Sequence, residues 1–209
     1  MFYSVKTPWW LKLLYKDCIW DIKGTEKVIY LTFDDGPHPA ITPFVLDELK
    51  KYNAKATFFC IGKNVVAHNE VCRRITTEDH TIGNHTHNHL NGWKTKDAIY
   101  LQNITEAAKH IDSKLFRPPY GKIKQSQLKQ LSTLSFNMKA IMWSVLSGDF
   151  DRKLSPEKCL QHVIKNTKSG SIVVFHDSEK AFERLEYALP RVLKYFSEKG
   201  YRFGKIEQV

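Results

Sequence analysis

The chain has 209 residues, of which 42% are hydrophobic and 26% are charged. This composition fits one soluble globular domain and excludes a disordered or low-complexity chain. The formal net charge of +10 favours anionic partners. The basic residues are spread along the chain without interleaved aromatic residues, so we expect no nucleic-acid binding. No apolar run approaches the roughly 20 residues that span a bilayer, so we expect no transmembrane segment.

Residues 1–24 form a basic, aromatic segment in which lysines interrupt the apolar residues around Trp9 and Trp10. No small-residue cleavage site follows, so the pattern is not typical of a secretory signal. We expect this segment to pack on a single domain of residues 25–209, with peripheral contact with a membrane as the alternative. The missing export signal favours a cytoplasmic location over association with the cell envelope. The four cysteines have no C-x-x-C spacing and predict neither a zinc site nor a redox site.

Short apolar runs at regular intervals predict β-strands. They cover residues 28–33, 56–61, 80–82, 115–116, 140–145, 172–175 and 201–203. Between them, helical patterns begin at Thr42-Pro43 and Ser155-Pro156, which are typical helix starts. Pro190 is expected to kink or split the last helix. The other apolar stripes are marked by Ile104, by Leu128 and Leu131 with Leu134, and by Leu189.

The alternation of strands with helices predicts an α/β fold with a parallel sheet. The strands are almost continuously apolar, as expected when helices cover both faces of the sheet. Six or seven such units in one domain suit a barrel better than an open sheet.

Polar residues with catalytic potential follow these strands, where the loops of an α/β fold converge. The adjacent carboxylates of Asp34 and Asp35 require a cation or a shared proton, unless they form a solvated Asp-Gly turn. His85, His87 and His89 follow the third strand. An extended segment would point all three to one side, whereas a helical turn would pair His85 with His89. One Asp and two His match the ligands of a catalytic zinc site.

Three later segments contain further candidate residues. Two prolines fix the backbone between Arg117 and Tyr120. Asp149 follows an aromatic-rich strand, and His176 ends a buried strand, which is a position that suits general acid–base catalysis. Each of these residues, taken alone, is equally compatible with a structural role.

In chain order, the segments TFDDGP, NHTHNH, FRPPYG, WSVLSGDF and VVFHD resemble the five motifs of the polysaccharide deacetylases. This is the NodB-homology family, carbohydrate esterase family four. The resemblance runs from about Val28 to Phe203, which is nearly the whole chain. It implies a distorted (β/α)7 barrel and a metal-dependent hydrolase that removes acetyl groups from N-acetylated poly- or oligosaccharides of the N-acetylglucosamine type.

The resemblance also implies a metal site. Asp35, His85 and His89 would hold a divalent metal, with zinc as the expected ion and cobalt or another divalent ion as the alternative. His87 falls outside the ligand pair of the family, which favours the helical-turn geometry over the extended one.

The same resemblance assigns roles around the metal. Asp34 would be the general base and His176 the general acid. Arg117 would orient Asp34, and Asp149 would tune His176. The backbone amide of Tyr120 would donate to the oxyanion.

Three positions depart from the usual pattern of the family. Leu146 stands where an Asp is usual, Phe150 where a Trp is usual, and Val174 where a Leu is common. We expect Phe150 to offer an apolar wall to the acetyl methyl group and Val174 to influence the size of the acyl group. We expect a monomer with an N-acetylated glycan as its partner. The alternatives are an O-acetyl esterase or another amide hydrolase, and a non-catalytic module that binds an anionic glycan.

Overall fold

The computed structural model describes residues 3–24, 26–131 and 137–207. Two short 3-10 turns, Gly92–Lys94 and Pro119–Gly121, lie between the main elements. The α-helices are α1 (Trp9–Leu14), α2 (Ile41–Lys51), α3 (Gly62–Ala67), α4 (Asn69–Thr77), α5 (Asp97–Ala108), α6 (Gln125–Leu131), α7 (Pro156–Asn166) and α8 (Phe182–Glu198). The strands are β1 (Val28–Asp34), β2 (Ala56–Cys60), β3 (Thr81–Asn84), β4 (Leu115–Phe116), β5 (Lys139–Ala140), β6 (Val145–Leu146), β7 (Ile172–His176) and β8 (Arg202–Phe203).

The strands form one parallel sheet in the order β5-β4-β3-β2-β1-β7-β6, and β8 pairs with β1 at the start of that strand. Parallel strands need helical crossovers that cover the sheet, and helices follow most of the strands here. The predicted α/β fold with a parallel sheet is therefore confirmed. No helix within the described ranges combines the length and the apolar composition needed to cross a bilayer.

The two faces of β1 have different environments because successive side chains of a strand point to opposite sides. Ile29, Leu31 and Phe33 belong to the largest apolar cluster, in which they pack with residues of α2 and α8. Tyr30, on the opposite face, packs against a second cluster inside the curved sheet, made of Phe59, Leu115, Ile141, Ile172 and Ile206. Asp34 shares the inner face with Tyr30 and lies at the carboxyl end of the strand. The inner face therefore ends in polar groups at the mouth of the barrel.

The prediction of one strand over residues 140–145 was wrong. Two short strands occupy this stretch, of which β5 pairs with β4 and β6 pairs with β7. The N-terminal segment lies at the seam between them. At the end of β5, the Ile19 N–H donates to the Ala140 carbonyl at 2.9 Å and the Ile19 carbonyl accepts from the Met142 N–H at 2.7 Å. At β6, the Leu146 N–H donates to the Val5 carbonyl at 2.8 Å. Between the two strands, the Met142 N–H and the Ser144 carbonyl bond to this segment, a long-range pairing that local hydrophobicity does not reveal.

The apolar stripes of the sequence fall in α2, α5, α6, α7 and α8, but two details differ from prediction. Helix α8 is not split at Pro190, because its buried stripe continues on both sides of the proline against the same core. Helix α2 begins at Ile41, slightly before Thr42-Pro43. Leu134, predicted to extend the stripe of α6, lies outside the described residues.

His80 gives the fold a specific sensitivity to acid. Its Nδ1 accepts a hydrogen bond from the Ala56 N–H at 3.1 Å, at the start of β2. Burial lowers the pKa of His80 to about 4, whereas an unfolded histidine titrates near 6.5. The unfolded chain therefore takes up this proton first, so stability from this group is complete above about pH 6.5 and decreases as the pH falls towards about 4.

We predict that His80→Asn reduces this acid-induced loss of stability by roughly 3 kcal/mol. The Asn carbonyl can still accept the Ala56 N–H, but it does not titrate. Urea unfolding of both proteins at about pH 7 and about pH 4 measures the difference. Equal losses in the two proteins would contradict the assignment.

Candidate active site

Asp34 and Arg117 form a buried ion pair at the mouth of the barrel. Asp34 ends β1 and Arg117 follows β4, and both side chains are buried. The guanidinium donates to Asp34 Oδ1 at 2.8 Å and to the Thr32 hydroxyl at 2.7 Å. It also donates to the carbonyl oxygens of Ile141 at 3.0 Å and Met142 at 2.9 Å. These bonds fix the orientation of the Asp34 carboxylate.

Phe59 and Gly83 shape the pocket of this guanidinium. Arg117 Cζ lies 4.1 Å from the centroid of the Phe59 ring, which is a stacking distance. A Cβ atom at Gly83 would lie 2.6 Å from two carbons of that ring. Desolvation lowers the pKa of Arg117, and the charge of Asp34 opposes this effect. The glycine therefore leaves room for the ring on which the guanidinium rests.

Asp35 is turned away from Asp34 by a strained backbone. Its φ of 80° lies in the left-handed region, which residues other than glycine rarely adopt. Two contacts hold this turn in place. The Gly36 N–H donates to Asp177 Oδ1 at 3.0 Å, and Asn64 Nδ2 donates to the Asp35 carbonyl at 2.8 Å. The carboxylates of Asp34 and Asp35 therefore point towards different partners.

His85 and His89 converge on Asp35. His89 Nε2 lies 3.1 Å and His85 Nε2 lies 3.7 Å from Asp35 Oδ1. The predicted helical turn was wrong, because the segment is an irregular loop in which Thr86 and His89 have φ values of 63° and 55°. The loop still pairs His85 with His89 and leaves His87 outside the cluster.

The cluster fits a divalent cation. One ligand atom each from Asp35, His85 and His89 lie within 4.8 Å of one another. The His85 Nδ1–H donates to the Arg117 carbonyl at 2.8 Å, so the lone pair of Nε2 faces the cluster. Burial lowers the pKa of His85 to about 4, which keeps the ring neutral near pH 7. Asp35 Oδ1 is buried and, in the described part of the chain, lacks a hydrogen bond of good geometry.

The carboxylate of Asp35 is stabilised in its charged form. Burial alone would raise the pKa of Asp35, but the contact with His89 and the nearby imidazoles lower it below the ordinary range. An anionic oxygen beside two imidazole nitrogens is a donor set typical of catalytic zinc sites.

His176 lies across the mouth from this cluster. It ends β7 and is the register partner of Asp34 on β1. Its Nδ1 lies 2.7 Å from Asp149 Oδ1, and its backbone N–H donates to Asp149 Oδ2 at 2.7 Å. Burial alone would lower the pKa of His176, but the charge and hydrogen bond of Asp149 raise it to about 10. The charges of Asp35 and Asp34 act in the same direction, so these groups share one electrostatic environment.

Two aromatic residues lie beside histidines of the site, Tyr120 beside His89 and Phe150 beside His176. Tyr120 is 56% exposed and its ring centroid lies 4.6 Å from that of His89. Its φ of 61° turns the backbone at the mouth. Phe150 stands edge-on to His176 with the ring centroids 5.3 Å apart. Both aromatic rings therefore border the pocket.

Val174, expected to influence the size of the acyl group, is buried. It lies two residues before His176 on the same face of β7 and is only 1% exposed. Its register partner Leu146 on β6 is 7% exposed. Val174 therefore does not line the surface of the pocket and can influence its shape only indirectly.

Asp177 supports the site but was not singled out from the sequence. It follows His176 directly, and the Thr42 hydroxyl donates to its carboxylate. A Cβ atom at Gly36 would lie 2.1 Å from Asp177 Oδ2. Burial raises the pKa of Asp177 to about 8. An acidic residue directly after a buried strand is a sequence signal that could have identified Asp177. Nothing in the sequence around Asn64 indicates its contact with the Asp35 backbone.

Known proteins match this chain over most of its length. A model of the polysaccharide deacetylase family matches residues 21–138. A peptidoglycan-N-acetylglucosamine deacetylase from Bacillus cereus is 35% identical over 196 residues, which cover 91% of this chain and 91% of that protein. A chitooligosaccharide deacetylase from Azorhizobium caulinodans is 31% identical over 163 residues, 75% of this chain and 76% of that protein.

A solved structure also matches this fold. It is a peptidoglycan N-acetylglucosamine deacetylase in complex with 4-naphthalen-1-yl-N-oxidanyl-benzamide. The TM-score is 0.86 at 31% sequence identity, and the match covers 96% of this chain and 95% of that chain. The predicted distorted α/β barrel is confirmed by this similarity.

The Asp149–His176 contact generates a titration experiment. We predict that Asp149→Asn lowers the pKa of His176 well below about 10, because the charge of Asp149, the largest effect that opposes burial, is then gone. The pH dependence of the imidazole C–H signals in proton NMR measures this change. Asp151→Asn, two residues away, is the matched control and should leave the titration of His176 unchanged. An alkaline titration that persists in Asp149→Asn would contradict the assignment.

The contact between Gly83 and Phe59 generates a stability experiment. Gly83→Ala should decrease the free energy of unfolding by about 1–3 kcal/mol, because the new methyl group overlaps the Phe59 ring beneath Arg117. Gly24→Ala is the matched control, since a Cβ atom there meets nothing within 4 Å. Urea unfolding of the two variants measures the difference, and equal stabilities would show that the ring is not confined as described.

Proposed function

This chain belongs to the polysaccharide deacetylase family, and from that membership we propose a metal-dependent hydrolase that removes N-acetyl groups from an N-acetylglucosamine-type glycan. The names of two relatives, a peptidoglycan-N-acetylglucosamine deacetylase and a chitooligosaccharide deacetylase, support an N-acetylated sugar as substrate. The observation that carries the proposal is the cluster of Asp35, His85 and His89, whose geometry suits a divalent cation. It lies near the fixed carboxylate of Asp34 and the imidazole of His176, whose pKa is raised.

Asp35, His85 and His89 would hold the divalent cation, and zinc suits one carboxylate with two neutral imidazoles. When bound, such an ion lowers the pKa of a coordinated water and polarises a carbonyl oxygen. The chain prepares the ligands in advance. The Arg117 carbonyl fixes the tautomer of His85, and Asn64 fixes the backbone of Asp35.

Asp34 is the proposed general base. Arg117 donates to Oδ1, which leaves Oδ2 to accept a proton from the water that attacks the acetamide carbon. The guanidinium holds the carboxylate in one orientation, so little reorganisation accompanies the proton transfer. The Tyr120 backbone amide is the proposed donor to the oxyanion of the tetrahedral intermediate.

His176 is the proposed general acid. Its raised pKa keeps the ring protonated near pH 7, and Nδ1 is engaged by Asp149. The Nε2 proton is therefore available to the departing nitrogen when the C–N bond breaks. The immediate products are acetic acid, which ionises to acetate in water, and the free amine of the sugar. Asp34 then holds the proton from water and His176 has given up its own, so the enzyme returns to its starting state when Asp34 releases a proton and His176 takes one up. Phe150 offers an apolar surface beside this imidazole for the acetyl methyl group.

We predict that the purified protein releases acetate from N-acetylglucosamine oligomers. Removal of metal with a chelator should abolish the release, and zinc or cobalt should restore it. O-acetylated glycans in the same panel test the alternative esterase activity. Metal-loaded protein that releases no acetate from any acetylated glycan would contradict the proposal.

Asp34→Asn separates an enzyme from a non-catalytic glycan-binding module. The variant should bind the oligomer with unchanged affinity and lose about 10²-fold or more of its turnover, because the base is gone but the pocket is nearly isosteric. Calorimetric binding and acetate release measure the two quantities. Turnover that is unchanged in Asp34→Asn would exclude this residue as the base, and turnover absent from the parent would support the module.

A further inference from the structure

Helix α1 presents its apolar side to solvent. Trp9, Trp10, Leu13 and Leu14 are 74%, 55%, 67% and 60% exposed. At 100° per residue, these four side chains occupy one continuous arc of the helix surface. We call them the outward face of α1. They are half of the eight large hydrophobic residues that are exposed among the described residues.

The opposite side of α1 is attached to the domain. Leu11 packs against a buried cluster that includes Trp20 and Phe116, and Lys12 is paired with Asp21. Gln125 Nε2 donates to the Leu14 carbonyl at 3.0 Å. The outward face is therefore held in position by the fold, and it does not result from a detached helix.

Tryptophan and leucine on one helix face, flanked by lysines, match the chemistry of a membrane interface. Tryptophan rings are enriched at the level of lipid headgroups, and leucine is favoured in the adjoining acyl region. Residues 3–23 contain four lysines and two aspartates, and one lysine is paired with an aspartate. Lys6 and Lys16 are exposed on either side of the helix. The exposed acid nearby is Asp17, so the local charge stays positive.

We propose that the outward face of α1 docks on the surface of a bilayer that contains anionic phospholipid. Insertion of the four apolar side chains would remove them from water, and the lysines would attract the headgroups. The formal charge of +10 favours this occupant over a second copy of the chain, because two such copies repel each other.

The residue directly after α1 contacts the chain that follows Tyr120 at the mouth. The Tyr15 hydroxyl, directly after α1, and Trp93 Nε1 both donate to the Ile123 carbonyl. Ile123 is three residues after Tyr120, whose ring packs on His89. Trp93 is itself 54% exposed. Docking through α1 would therefore bring this loop, which borders the pocket, close to the membrane surface.

Co-sedimentation with vesicles tests the proposal. The parent protein should bind vesicles of phosphatidylcholine with added phosphatidylglycerol about tenfold more tightly than vesicles of phosphatidylcholine alone, and added salt should weaken the binding. The double variant Trp9→Ser with Leu13→Ser should lose about tenfold or more of the affinity for the anionic vesicles. The tryptophan emission of the parent should shift to shorter wavelength in their presence.

A matched double variant, Val66→Ser with Ile99→Ser, removes two side chains of 55% and 51% exposure from other helices and should bind as the parent does. Thermal unfolding of both double variants is the check that they fold. Parent protein that does not bind anionic vesicles would overturn the proposal, as would undiminished binding by Trp9→Ser with Leu13→Ser. Sedimentation equilibrium that reveals a dimer lost in that variant would overturn it in favour of a second copy. None of these outcomes depends on acetate release, so they are distinguishable from a failure of the proposed function.

Discussion

The buried guanidinium of Arg117 connects the elements on which the site depends. Its side chain binds β1 through Asp34 and Thr32 and also the chain after β5, while its carbonyl accepts the Nδ1–H of His85. One residue therefore fixes both the proposed base and the tautomer of a proposed metal ligand. A buried cation is costly unless its partners are well placed, and here four side-chain hydrogen bonds reach acceptors on β1 and on the chain after β5. The orientation of Asp34, the tautomer of His85 and the connection between β1 and the chain after β5 therefore all depend on Arg117.

The surroundings give identical side chains different chemistry. Burial lowers the pKa of His85 to about 4, whereas Asp149 overcomes burial at His176 and raises its pKa to about 10. One histidine is therefore suited to bind a cation, and the other is suited to give up a proton. The neighbouring carboxylates also have different partners, because Asp34 faces Arg117 and Asp35 faces imidazoles. This division of charge suits amide hydrolysis, which needs both a base and an acid.

Much of this arrangement could be predicted from the sequence because strand ends are local features. Apolar runs located β1, β2 and β7, and the polar residues that follow them converge because parallel strands share one carboxyl edge. The resemblance to the deacetylase motifs indicated that His85 pairs with His89, although the pairing comes from left-handed residues in a loop and not from a helical turn. The contact of Asn64 with the loop of Asp35, and the closure of the seam by Ile19 and the segment around it, depend on pairings that are distant in sequence.

The most direct test of the account is an anomalous difference map from crystals of the protein soaked in cobalt. We predict one strong peak about 2.0–2.2 Å from a carboxylate oxygen of Asp35 and from Nε2 of both His85 and His89. A peak at His87 in place of this cluster, or no peak at the three residues, would contradict the claim that the mouth of the barrel is a cation site.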